Sequence, residues 1–384
     1  MSEKMYAFVG HAKISTGLKL GVDTYEYDPE TAALKPVGNF VPELRVGAQF
    51  FDAKRNILYV VDEYWALNGQ TAGGGQIAAL DFDPETGALA VRNIRRTFAT
   101  NPSYITLDKT GKYLLVSHHC TDRFVTRLVK TDHGYDGEIC YDRCVLELFE
   151  VLDDGSIGEM LDDYEIFGHD LEGMHTFPHL HCVIPDHNRD FFMVCDKGLD
   201  KIYSFRIDYE NRKLVKASEF AAEPHTDPRY GVFHPEKPIF YSNCEAGPDI
   251  NILRENEETG ELTLIGRTPC VENLEKPYEP SDIVVHPNGK YLYVSIRTKD
   301  LISVLEIVDD ETLVLKETIP AEGINPRGLL VSPDGRFLLA ANMQSAAVNG
   351  FAINADGTLS SIGKLTEGGY PGNIEIITFA DKDL

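Results

Sequence analysis

Residues Arg327 to Leu365 read RGLLVSP, DGR, FLLAANM, a polar gap, AVNGFAI, NADG and TLSSIGKL. Alternating apolar and polar positions broken by Asp-Gly-type turns are the pattern of short strands joined by tight hairpins. The phrase recurs. A turn followed by an apolar run appears as NILYVVDE from Asn56, KYLLVSHH from Lys112, DFFMVCDK from Asp190, PIFYSNCE from Pro238, KYLYVSIR from Lys290 and RFLLAANM from Arg336. The last four starts fall 48, 52 and 46 residues apart, the period of four-stranded propeller blades rather than of helical solenoids.

A blade buries its faces only against neighbouring blades, so such an array closes into a ring around a central channel. Six inner strands are expected to begin near Val46, Pro102, Pro178, Pro228, Pro280 and Pro326. The seventh blade is assembled from both ends: MYAFVGH and VDTYEYD supply later strands and GNIEIITFA the innermost one. The expectation is an all-β chain, a seven-bladed β-propeller with four-stranded antiparallel blades. One domain covers residues 1–384, and pairing its terminal strands removes exposed edges. Lys112 and Asp190 lie 78 residues apart, roughly 30 more than one blade needs. The excess, at about 119–150, is expected to be a long loop or an extra hairpin.

Acidic residues outnumber basic ones 61 to 36, a formal charge of −25, and the resulting field repels nucleic acid and anionic membrane surfaces. Arginines gathered at one place against that background point to an anionic small-molecule partner. The seven cysteines include no CxxC pair, and several sit inside apolar runs. They are expected to be reduced thiols of a cytoplasmic protein, a monomer or small homo-oligomer. MSEKMYAFVG lacks a long apolar segment, and no stretch is long enough to span a bilayer.

The start of each inner strand faces the channel mouth, which selects Arg45 to Val46, Ser103, His179, Arg229, Ser281 and Arg327. The ends of the second strands add Glu63, His118, His119, Lys197, Glu245 and Arg297. Arginines at such places either bind an anion or stiffen the ring through carbonyls of the next blade. His175, His179 and His181 raise the question of zinc, because His179 and His181 share a strand face. No acidic or cysteine partner lies at diagnostic spacing, so one channel histidine beside one inter-blade histidine is preferred, with no metal. Gly73, Gly74 and Gly75 precede a strand rather than a helix and make no phosphate loop. Trp65, the only tryptophan, is expected to pack rather than to catalyse.

PHLHCVIPD, DKGLDKIYSF, DPRYGVFHP, EPSDIVVHPNGKYLYVSIRTKD and NPRGLLVSPDGRFLLAANMQS resemble the lactonase family of seven-bladed propellers. That family includes one type of 6-phosphogluconolactonase and fungal 3-carboxy-cis,cis-muconate lactonizing enzymes. The resemblance implies a channel histidine at His179, arginines at Arg229 and Arg297 and a glutamate at Glu245 as catalytic groups. Arg327 matches a further arginine, and Ser103, His181 and His119 are expected to touch substrate. It implies an enzyme that forms or opens a lactone of an acidic small molecule without metal or organic cofactor. The arginines would hold carboxylate or phosphate, and His179 and Glu245 would handle the proton. Two other readings remain: a non-catalytic binding scaffold, which would spread its polar residues over one face, and a metal-dependent propeller hydrolase.

Overall fold

The computed structural model describes residues 4–12, 19–67, 70–71, 73–169, 177–272 and 275–378. Seven four-stranded antiparallel sheets surround one axis. In blade 1, Pro371–Ile377 lies innermost, followed outward by Met5–His11, Gly21–Tyr27 and Leu34–Phe40. Blades 2 to 7 run along the chain as residues 46–96, 102–166, 184–221, 228–269, 280–320 and 326–367. The ring closes as expected, with Tyr6 opposite Ile377 and Gly10 opposite Asn373.

The repeated apolar phrase is the second strand of each blade. Ile57–Asp62, Ile239–Cys244, Tyr291–Ile296 and Phe337–Asn342 are buried along their whole length, because a neighbouring blade covers each face. An uninterrupted apolar run results where a half-buried strand would alternate. Outermost strands such as Leu89–Arg96 and Lys213–Ala221 bury few of their side chains and are correspondingly polar. Between blades 1 and 2, Phe82 packs edge-on against Phe8 and Phe51 at centroid distances of 5.2 and 5.6 Å.

Turn glycines are part of this packing. The Tyr59 hydroxyl of blade 2 donates to the Gly155 carbonyl in the outer hairpin of blade 3, at 2.8 Å. Tyr293 of blade 6 treats Gly357 of blade 7 in the same way, at 3.0 Å. Both glycines have φ near +84°, and a Cβ at Gly357 would lie 2.3 Å from the Tyr291 ring. A left-handed backbone and this close approach both require glycine.

Blade 4 departs from the expected pattern. Its innermost strand is only Ile184–Pro185, preceded by an isolated bridge from Leu180 to Asp196, so no regular strand starts at Pro178. The insertion forms an extra hairpin, Phe124–Thr131 paired with Gly134–Tyr141, outside the four-stranded sheet of blade 3. Among the described residues no helix is long and apolar enough to cross a membrane, and the seven cysteines are free.

Ending the chain before Pro371 strips blade 1 of its inner strand, and this variant is expected to show no cooperative melt by circular dichroism. Replacing residues 124–141 by two glycines leaves every blade intact. Its melting temperature is expected to stay within about 4 °C of the parent.

Candidate functional site

Inner strands start with a break in the ladder. Pairing skips after Val46, Pro102, Pro228, Pro280 and Pro326, and a bulge of this kind re-aims the side chain it carries. The residues after the break are Gly47, Ser103, Arg229, Ser281 and Arg327. Backbone bonding fixes the equivalent position in blade 4. The amides of Glu63, His119, Lys197, Glu245, Arg297 and Met343 donate to the carbonyls of Arg45, Asn101, His179, Asp227, Glu279 and Asn325. His179 therefore corresponds to Asp227, and the counterpart of Arg229 is His181, two residues further on.

The two rings enclose a cavity of about 300 Å³ at the channel mouth, lined by Glu63, His119, His181, Lys197, Arg229, Arg297 and Arg327 together with Trp65. Glu245 ties three of the cations. Its Oε2 lies 2.8 Å from Lys197 Nζ and 2.8 Å from Arg229 Nε, and its Oε1 lies 2.9 Å from Arg297 Nη2. Burial alone would raise its pKa, but Lys197, Arg297 and Arg229 hold it well below the ordinary carboxylate value. Arg229 is 1% exposed, and its Nη1 donates to the Ser281 carbonyl of blade 6 at 2.7 Å. Thus it both stiffens the ring and faces the cavity.

Arg327 Nη2 reaches both oxygens of Glu63 at 3.1 and 3.0 Å. Gly47 leaves room for this, since a Cβ there would fall 1.9 Å from Glu63 Oε2. Arg327 Nη1 and Arg297 Nε are buried without a hydrogen-bond partner. Such N–H groups are costly to leave unsatisfied, so they mark places for an acceptor. Lys197, Arg229, Arg297 and Arg327 meet Glu245 and Glu63, and Arg297 Nη2 also lies 3.7 Å from Glu279 Oε2. Four cations against three carboxylates leave the mouth an excess of one positive charge inside a strongly acidic protein.

The two histidines differ in environment. His179 Nε2 lies 2.9 Å from Asp122 Oδ1, and its Nδ1 lies 2.5 Å from the His119 carbonyl. Burial opposes its charge, but Asp122 and then Cys120 lift its pKa to about 10. It does not line the cavity; its ring packs 4.5 Å from that of His119. His181 is 4% exposed and does line it. Burial first, then Arg229 and Lys197, drive its pKa well below the usual histidine value, so its imidazole is neutral.

Other expected residues fall elsewhere. Ser103 donates to the Leu180 carbonyl of the next blade at 2.9 Å and is absent from the cavity wall. His118 points away from the channel, 3.7 Å from the buried Glu147. Trp65 is not packed away: 37% of it is exposed, at the mouth. Lys197 completes the cationic cluster, although the family resemblance does not single it out; its signal is its place at the end of a second strand. His175 lies outside the described residues. Among the described residues no three His, Cys, Asp or Glu side chains are grouped so as to hold a metal.

A family model described as "Lactonase, 7-bladed beta-propeller" matches residues 6–376. The chain is 28% identical over 294 residues to a 6-phosphogluconolactonase of Formosa agariphila, covering 73% of this chain and 75% of that one. It is 24% identical over 351 residues to a 6-phosphogluconolactonase of Bacillus subtilis, covering 89% and 90%. The structure of a periplasmic gluconolactonase of Pseudomonas aeruginosa superposes with a TM-score of 0.84 at 21% identity, covering 98% of this chain and 99% of that one. The last likeness concerns the fold.

Glu245→Gln leaves the buried Lys197 and Arg229 without their counter-ion and Arg297 with only the more distant Glu279, and is expected to cost about 3–5 kcal/mol at neutral pH, read by denaturant unfolding. The folded-state pKa of Glu245 is depressed, so its contribution is present above the unfolded value near 4.5 and is lost as pH falls toward the folded one. The parent should lose stability on acidification below about pH 4.5 more steeply than Glu245→Gln does.

Proposed function

The chain belongs to the Lactonase family of seven-bladed β-propellers, and we propose that it hydrolyses the lactone of an anionic sugar acid of the 6-phosphogluconolactone kind. The observation that carries this reading is a neutral histidine, His181, set among four cations whose charge the site does not fully neutralise. A phosphate monoester brings about −1.5 to −2 charges, of the sign that the excess calls for. The partnerless N–H groups of Arg297 and Arg327 are suited to its oxygens or to a carboxylate.

In the proposed reaction His181 takes a proton from water as the water oxygen attacks the lactone carbonyl. Arg229 and Lys197 stabilise the oxyanion that develops. Collapse breaks the bond from the carbonyl carbon to the ring oxygen, and the His181 imidazolium returns its proton to that oxygen. Water and lactone become the open acid, with no metal or organic cofactor in any step. Glu245 is a positioning residue, since both of its oxygens are engaged by Lys197, Arg229 and Arg297. The base is assigned to His181 rather than His179, because both nitrogens of His179 are engaged and its pKa favours the protonated ring.

Carboxymuconate cyclisation would draw on the same arginines, but the named relatives lie on the hydrolytic side. The free cysteines suit a reducing compartment such as the cytoplasm.

His181→Ala is expected to lower kcat/KM on 6-phosphogluconolactone by about 10²–10⁴-fold with an unchanged melting temperature, and His179→Ala by far less. Full activity in His181→Ala removes the assignment. Because the base is neutral well below the usual histidine range, kcat/KM should stay level between about pH 6 and 8 once spontaneous opening is subtracted. Activity should survive chelation; loss with EDTA and recovery on adding a divalent ion would favour metal-dependent hydrolysis.

A further inference from the structure

We propose that Trp65 and the inserted hairpin form a second subsite, continuous with the cationic cavity, that holds a further sugar ring attached to the lactone. This rests on the hydrolytic reading above and narrows it to glycosyl-substituted aldonolactones. A second cavity of about 250 Å³ lies at the root of the hairpin, walled by Trp65, Thr121, Arg123, Phe124, Val125 and Tyr141. Trp65 also lines the channel-mouth cavity, so the two spaces meet across one indole.

The walls are held in place from behind. Arg45 lies 3.6 Å over the ring of Tyr64, which packs 5.0 Å from Trp65. On the hairpin side, Tyr141 stacks on Phe177 at 4.5 Å and 21°. Asp142 accepts hydrogen bonds from the Thr121 amide and hydroxyl at 3.1 and 3.0 Å and from the Thr100 hydroxyl. These bonds tie the base of the insertion to the blade beside the mouth.

The chemistry of the walls selects the ligand. Aromatic faces carry negative charge density and attract the polarised C–H bonds on the flat face of a pyranose. Arg123 lies over Trp65 at 5.3 Å and forms no ion pair among the described residues, so its N–H groups can serve ring hydroxyls. A second phosphate would find one cation here against the four of the first cavity. A second sugar ring uses both the aromatic faces and the guanidinium. This also gives the insertion a role, since it supplies five of the six walls named.

The test compares glucono-1,5-lactone with cellobiono-1,5-lactone in the parent, in Arg123→Ala, in Tyr141→Ala and in the variant lacking residues 124–141. The expected parent kcat/KM is at least tenfold higher for the two-ring lactone. All three variants are expected to lose that preference while opening the one-ring lactone within twofold of the parent. Equal rates on the two lactones in the parent, or a preference that survives all three changes, would overturn the subsite. Inactivity of the parent on both of these lactones and on 6-phosphogluconolactone would instead refute hydrolysis, and the subsite is then judged by binding. Trp65 is the only tryptophan, so cellobiose should change its emission saturably, at least fivefold more weakly in Tyr141→Ala. Absence of a saturable change would refute the subsite too.

Discussion

Ring closure governs this molecule. Each sheet has two apolar faces that only neighbouring sheets can cover, and the circle is completed by the antiparallel pairing of Pro371–Ile377 with Met5–His11. Without that pairing, blade 1 would present an open edge beside the channel. With it, residues scattered from Glu63 to Arg327 meet at one mouth. Convergence concentrates positive charge that the overall composition would never suggest.

Such a concentration is tolerable only because the cations are paired with unusual economy. Desolvated guanidinium groups are costly unless a carboxylate and further acceptors meet them. Glu245 serves three cations at once, Glu63 meets Arg327, and the Ser281 carbonyl takes one arm of Arg229. Two small residues at the same depth make this geometry possible. Gly47 admits Glu63, and Gly372 admits Arg327, whose Nη1 would lie 2.7 Å from a Cβ placed there. The pairing stops short of neutrality, and on the proposed reading that excess of charge is what holds an anion at the mouth.

Much of this was legible in the sequence, for physical reasons that can be named. Second strands covered on both faces read as unbroken apolar runs, and hairpins packed against tyrosines keep their glycines. Placing Arg229, Glu245, Arg297 and Lys197 near the channel followed from their positions relative to those runs. The histidine register did not follow. Pro178 mimics Pro228 and Pro326, but the carbonyl of His179 receives the Lys197 amide, which aligns Leu180 with those prolines. Proline is only a preference at that position, as Val46 shows, and a ladder bond leaves no trace in residue type. Nor did spacing show that the insertion roots beside the mouth, because the Asp142 bonds to Thr100 and Thr121 are tertiary.

The central claim is that an anionic sugar acid sits among the cations of the channel mouth, within reach of His181. A crystal structure with the product analogue 6-phosphogluconate tests it most directly. Phosphate or carboxylate oxygens are predicted within about 3 Å of Arg327 Nη1 and Arg297 Nε, with the other end of the ligand beside the His181 ring. Ligand bound at another surface, with only solvent in the mouth at saturating concentration, would contradict the account.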